Sequence, residues 1–336
     1  MWFLKREFNF KMKQLLFFII IISTSIIFGQ KKPEDFGYKY LKFQYKNNVV
    51  DVLVQSKIGD EEKPKPLFFW CQGSLPQPVI KYDEKGIYGT FPFDSIDFLD
   101  NFHLVIIGKP GIPIIADIKN LKKNFIFADD SLNVPKEYSD RNYLDFYVNR
   151  NNYILKMLLK SNWVSSKKLV VAGHSEGSYV AAKMAFKNKN ITHLIYSGGN
   201  PYGRYLNILA QSRFNETDNT TIENWKEIVK NKNNIDYNGG DTYKCTFDFS
   251  NPLANEIFNL KIPVLFSYGT KDWSTPYNDL FYVESIRKQS TNITFLPYIG
   301  LEHNYFPVNE KLEPNQEIYN WENVGKDWEK WLKQNN

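Results

Sequence analysis

Cysteine and histidine are scarce in this chain. Two cysteines, Cys71 and Cys245, and four histidines, His103, His174, His193 and His303, are spread over 336 residues. No H-x-x-x-H and no paired-Cys spacing gathers them, so the sequence implies no metal and no other cofactor. Two cysteines permit a Cys71–Cys245 disulfide in an exported protein, but two separate buried thiols satisfy the sequence equally well. Basic runs are missing too. The formal net charge is +5 with both signs scattered, which excludes a nucleic-acid groove as the organising feature. A phosphate-binding glycine loop is absent, because Asn238-Gly239-Gly240 lacks a strand-to-helix setting. No internal repeat is visible.

Apolar and aromatic residues, by contrast, are plentiful. The chain is 43% hydrophobic and 16% aromatic, enough for a sizeable core. The first apolar run has the layout of an export signal. Lys11 and Lys13 precede Leu15–Ile22, Ser23-Thr24-Ser25 interrupts the run, and Gly29 ends it. Met12 is an alternative initiator. Leu15 to Phe28 is 14 residues with three hydroxyls, short of the ~20 that a spanning helix needs. The expectation is a cleaved signal over 1–29 and one domain over 30–336, with export to the periplasm or exterior. The membrane is then met only through the signal, or through this segment if it stays uncleaved.

Downstream, strands and helices alternate. Tyr38–Lys46 and Val49–Ser56 predict a hairpin with Asn47-Asn48 at its turn. Leu67–Cys71, Phe102–Ile107, Leu169–Ala172, His193–Tyr196, Ile262–Tyr268 and Ile293–Pro297 are apolar runs suited to strands buried on both faces. Helical spacing predicts helices over about Tyr138–Leu159, Tyr179–Lys187 and Asn278–Lys288, and a closing helix through Ile318, Trp321, Val324, Trp328 and Trp331. The class is therefore α/β: a mostly parallel twisted sheet with helices on both faces. In such sheets the ligand site lies beyond the carboxyl ends of the strands. From about 202 to 259 the chain is polar, Asn-rich and weakly periodic. That length predicts an inserted cap over the site.

Chemistry gathers at the strand Lys168–Ala172, which runs into Gly173-His174-Ser175-Glu176-Gly177 and then an Ala-rich helix. A strand, a sharp glycine-flanked turn and a helix is the setting that lifts a serine hydroxyl clear of the backbone. That hydroxyl needs a base, and the base needs an acid. His103 and His193 begin strands at the far end of the sheet, and His174 is held in the turn itself. His303, in a loop after the last strand, remains as the base. Asp272 follows a buried strand, 97 residues after Ser175 and 31 before His303, and is the expected acid. Asp241 and Asp248 lie inside the presumed cap and are weaker candidates. Two N–H donors should face the developing oxyanion: that of Glu176, and one from the Gln72-Gly73-Ser74-Leu75 loop, Ser74 first and Gly73 second. The Glu176 side chain either packs under the helix or meets a cation.

Taken together, Gly173-His174-Ser175-Glu176-Gly177, Gly269-Thr270-Lys271-Asp272 and His303 resemble the serine hydrolases of the α/β-hydrolase fold, in that order of nucleophile, acid and base. Lys109-Pro110-Gly111 resembles a turn of the same family, and the likeness runs from Leu67 to Asn336. It implies an acyl-enzyme at Ser175, hydrolysed by water activated through His303. The His-Gly-Gly-Gly loop of many esterases is replaced by Cys71-Gln72-Gly73-Ser74, which leaves the second oxyanion donor and the acyl preference open. The expected activity is hydrolysis of a carboxylic ester of a small molecule. A peptidase or amidase on short peptides is the alternative within the same mechanism, and the chain has no room for the N-terminal propeller of some peptidase relatives. A catalytically silent binding protein on the same scaffold is the third possibility.

Overall fold

The chain enters its sheet through a hairpin. β1 (Tyr38–Tyr45) and β2 (Asn48–Gln55) pair antiparallel. The two turn residues are Lys46 and Asn47, at φ 46° and 64°. The turn thus sits one residue earlier than expected. Two successive positive φ values match the twist of the flanking strands, and Asn48 joins the ladder opposite Tyr45.

The computed structural model describes residues 31–89, 91–215, 219–236 and 239–335, and the fold is that of the unit Pro33–Asn336. The apolar stretch read as an export signal lies outside the described residues. Among those described, no helix is long and apolar enough to cross a membrane.

The remaining strands are β3 (Lys65–Cys71), β4 (Ile80–Asp83), β5 (Gly86–Tyr88), β6 (His103–Ile107), β7 (Ile115–Asp117), β8 (Val164–His174), β9 (His193–Ser197), β10 (Val264–Gly269) and β11 (Ile293–Tyr298). The helices are α1 (Ile96–Leu99), α2 (Lys136–Ser139), α3 (Leu144–Leu158), α4 (Glu176–Lys187), α5 (Tyr205–Phe214), α6 (Thr220–Lys230), α7 (Tyr243–Asp248), α8 (Ala254–Phe258), α9 (Thr275–Arg287) and α10 (Trp321–Gln334). Eight strands form one sheet in the order β1-β2-β6-β3-β8-β9-β10-β11. From β6 to β11 every neighbouring pair is parallel. A small sheet, β5-β4-β7, was not foreseen. Its strands are three or four residues long, too short for a period-two signal.

Two-faced burial explains the apolar strands. Along β3, Leu67, Phe69 and Cys71 face one hydrophobic cluster, shared with α3, α4, α8 and α9. Phe68 and Trp70 face a second, shared with α1 and α10. The anticipated helix 138–159 is broken: Tyr143 is extended at φ −152°, ψ 154°. Asn142 is buried there and accepts a bond from the Tyr147 hydroxyl. In the closing helix Ile318 falls before the first turn and is half exposed, while Trp321, Val324, Trp328 and Trp331 are buried. The 202–259 segment folds as α5–α8 between β9 and β10.

Candidate active site

The site is assembled where β8, β10 and β11 end. β8 runs into Ser175, which sits at φ 56° and ψ −127° before α4 begins at Glu176. An L-residue adopts this backbone at a cost of about 1–3 kcal/mol. Two glycines make it possible. A Cβ on Gly173 would lie 2.1 Å from the Gly177 carbonyl oxygen, and one on Gly177 would lie 2.1 Å from the Cys71 carbonyl oxygen. The Ser175 N–H donates to the Ser197 carbonyl of β9, and the Ser178 N–H and hydroxyl both donate to the Ser175 carbonyl. The turn is therefore fixed on both sides.

The Ser175 hydroxyl is 2.9 Å from His303 Nε2, and His303 Nδ1 is 2.7 Å from Asp272 Oδ2. With Nδ1–H donating to the carboxylate, Nε2 is left to accept the serine proton. Asp272 is buried, and its other oxygen accepts the Ser274 N–H. Burial alone would depress the imidazole and raise the carboxyl. Burial is outweighed in both cases by their attraction and hydrogen bond, with Glu302 adding for the imidazole and Ser274 for the carboxyl: His303 is raised above the ordinary value of 6.5 and Asp272 is lowered. The loop bearing His303 is anchored by the fully buried Tyr305, whose hydroxyl bonds Ser197 (2.6 Å) and Ser267 (3.0 Å) at the ends of β9 and β10. A tyrosine two residues past the histidine carries no sequence signal of this role.

His174 was set aside as held in the turn. Its ring lies 4.9 Å from that of His303 and edge-on to Trp321. Burial, and then the nearby His303, push it down to about 3. It stays neutral beside the titrating imidazole. His103 and His193 begin β6 and β9 and bond Ser56 and Thr192, away from the serine. Asp248 pairs with Lys244 and Asp241 with Arg204, so neither meets His303. Cys71 and Cys245 are separate buried thiols, against Met184 and Asn142 respectively.

A pocket of about 350 Å³ opens at Ser175, lined by Gly73, Ser74, Leu75, His174 and His303 among others. Gly73 and Ser74 thus stand beside Ser175. As first residue of α4, Glu176 has an N–H with no intrahelical acceptor. Its side chain turns away and is buried, 2.9 Å from Arg204. Burial raises that carboxyl, opposed by Lys109 and Arg204. Sequence reading places Lys109 only in a turn and misses its contacts. It is buried at the end of β6, where it donates to the Ser74 carbonyl (2.7 Å), as does the Tyr138 hydroxyl (2.8 Å). Among the described residues, none lining the Ser175 pocket comes from 202–259; Gly240 and Asp241 line a neighbouring cleft with Ser74 and Leu75.

The fold is shared with known structures. Est1E from Butyrivibrio proteoclasticus superposes with a TM-score of 0.53 at 13% identity, over 88% of this chain and 98% of that one. The fold is that of the α/β-hydrolases. Esterase Pf2001 from Pyrococcus furiosus shares this α/β-hydrolase fold at a TM-score of 0.51 and 13% identity, over 91% of this chain and 95% of that one. So does dipeptidyl peptidase 4 from Porphyromonas gingivalis, at 0.55 and 12%, over 89% of this chain but only 35% of the peptidase. No family model and no curated protein matches the sequence.

Proposed function

We propose that this chain is an exported serine hydrolase that cleaves a carboxylic ester of a small organic molecule. The observation that carries the reading is the continuous Ser175–His303–Asp272 hydrogen-bond chain, 2.9 and 2.7 Å long. Ser175 Oγ attacks the ester carbonyl as His303 Nε2 takes its proton. The imidazolium so formed is stabilised by Asp272. The oxyanion is met by the N–H of Glu176 and that of Ser74 or Gly73, each worth about 3 kcal/mol in the transition state. Collapse expels the alcohol, protonated by His303, and leaves Ser175 acylated. Water, deprotonated by His303, then releases the acid. Esters are favoured over peptides because two esterases align with this chain over 98% and 95% of their own length. Est1E has also been solved with ferulic acid bound. The mechanism itself would also serve an amide.

A fluorophosphonate probe tests the reading. It should label the wild type and Asp241→Ala, but neither Ser175→Ala nor His303→Ala. A folded wild type that stays unlabelled would leave a binding role in its place. A panel of p-nitrophenyl esters against aminoacyl and prolyl amides then ranks the bond cleaved.

A further inference from the structure

A second cleft, of about 660 Å³, adjoins the serine pocket and shares Gly73, Leu75, His174 and Asn304 with it. Its walls are aromatic. Tyr88 lies against Phe125 (centroids 5.8 Å apart) and Phe306 against Tyr319 (6.1 Å), with Trp321 beside them. Into this wall is set Lys81, on β4, only 5% exposed. Its ammonium donates to two carbonyls, Gly89 at 2.9 Å and Pro78 at 3.3 Å. An ammonium has three N–H donors, so one is left over.

No acid accounts for this charge. Among the described residues lining the cleft there is no Asp or Glu, and Lys81 is the only Lys or Arg. Asp83, the acid on the same strand, accepts from the Tyr88 hydroxyl and the Lys85 N–H, both at 2.7 Å. Burying a cation without a counter-ion is costly, and proteins seldom do it without a use. Burial lowers Lys81 to about 8, which leaves it mostly protonated at neutral pH. The neighbouring Tyr88 and Tyr319 hydroxyls and the neutral His174 bring no negative charge at that pH.

Resting on the hydrolase reading above, we propose that Lys81 receives a carboxylate carried by the substrate. The preferred esters would then be acidic: half-esters of a dicarboxylic acid, or esters of a carboxyl-bearing phenol or alcohol. The apolar body of the molecule lies on the aromatic walls, its scissile carbonyl reaches Ser175, and its charge ends on Lys81. The ion pair forms only when substrate displaces water from the cleft, where a charge-assisted bond is strong.

Two ester pairs test this and tell which side of the bond carries the charge. Mono-4-nitrophenyl adipate against its methyl ester places the charge on the acyl side. 4-Carboxyphenyl butyrate against its methyl ester places it on the leaving group. The wild type should prefer the acid of at least one pair by tenfold or more in kcat/KM. Lys81→Met should remove that preference through KM, while neutral esters change less than twofold. A preference absent from both pairs, or unchanged in Lys81→Met, overturns the proposal. Fluorophosphonate labelling of Ser175 separates the two readings: equal labelling of both proteins with unchanged selectivity sinks only the role of Lys81. Titration with terephthalate, which needs no turnover, should show binding weakened at least tenfold in Lys81→Met, and equal binding counts against the role. Lys81→Met should melt no lower than wild type, since it removes a buried uncompensated charge. If it does not fold, Lys81→Gln takes its place in the same measurements.

Discussion

At the scale of single residues, the site depends on how two opposed effects on one imidazole are resolved. His303 loses hydration, which disfavours its cation, and gains the charge and hydrogen bond of Asp272, which together with Glu302 outweigh that loss. As the proposed base, His303 works only when Nε2 is unprotonated. Activity should therefore fall as the pH drops through a value above the ordinary 6.5 of a histidine. Asp272→Asn removes the attraction and leaves the burial, so the acid limb of kcat/KM should move to lower pH. The same change loses the tautomer that presents Nε2 to Ser175, and kcat should fall by about 10⁴. A pH–rate profile of the two proteins reads both effects, and a limb that moves upward would mean that another group is the base. The three side chains were legible in the sequence because each follows an apolar run and histidine is rare. The roles of Tyr305, His174 and Lys109 were not, because they are contacts across 35 to 129 positions. No local pattern encodes such contacts.

At the scale of elements, the join between α4 and the 202–259 segment is a buried ion cluster. Arg204 bridges Glu176 and Asp241, at 2.9 Å each, and Lys109 faces the same carboxylate. Removing the guanidinium alone leaves a buried carboxylate short of a partner. Arg204→Met should therefore cost about 3 kcal/mol. Combined with Glu176→Gln it should cost clearly less than the two changes summed, by about 1 kcal/mol or more. Urea unfolding of the four proteins closes this cycle, and additive losses would mean that the bridge is incidental. Elements also mark where pattern reading stops. Long apolar strands were placed to within a few residues because both their faces are covered. The small sheet escaped because strands of three or four residues carry no periodicity, and the break at Tyr143 because side-chain contacts, and not a pattern, decide it. Asn142, for example, is held by Tyr147 on one side and by Cys245 on the other.

For the whole molecule, the parallel order β6-β3-β8-β9-β10-β11 puts every strand's carboxyl end on one edge. The loops after β8, β10 and β11 then meet there, and residues 128 positions apart come within hydrogen-bond reach. The alternation of strand and helix made this arrangement legible before any contact was known. Among the described residues, the buried members of both hydrophobic clusters lie from Tyr38 onward, as do Ser175, Asp272 and His303. A chain beginning at Gln30 should unfold in one cooperative transition at the same temperature as the full chain. It should also react with a fluorophosphonate at the same rate, within about twofold. Export is a separate matter: residues 1–29 fused to a reporter should carry it out of the cell and be removed after Gly29, which N-terminal sequencing of the released protein reads directly. A truncated chain that melts lower would assign the leading segment a part in the fold. A reporter retained uncleaved in the membrane would make that segment an anchor, with the hydrolase domain held at the surface.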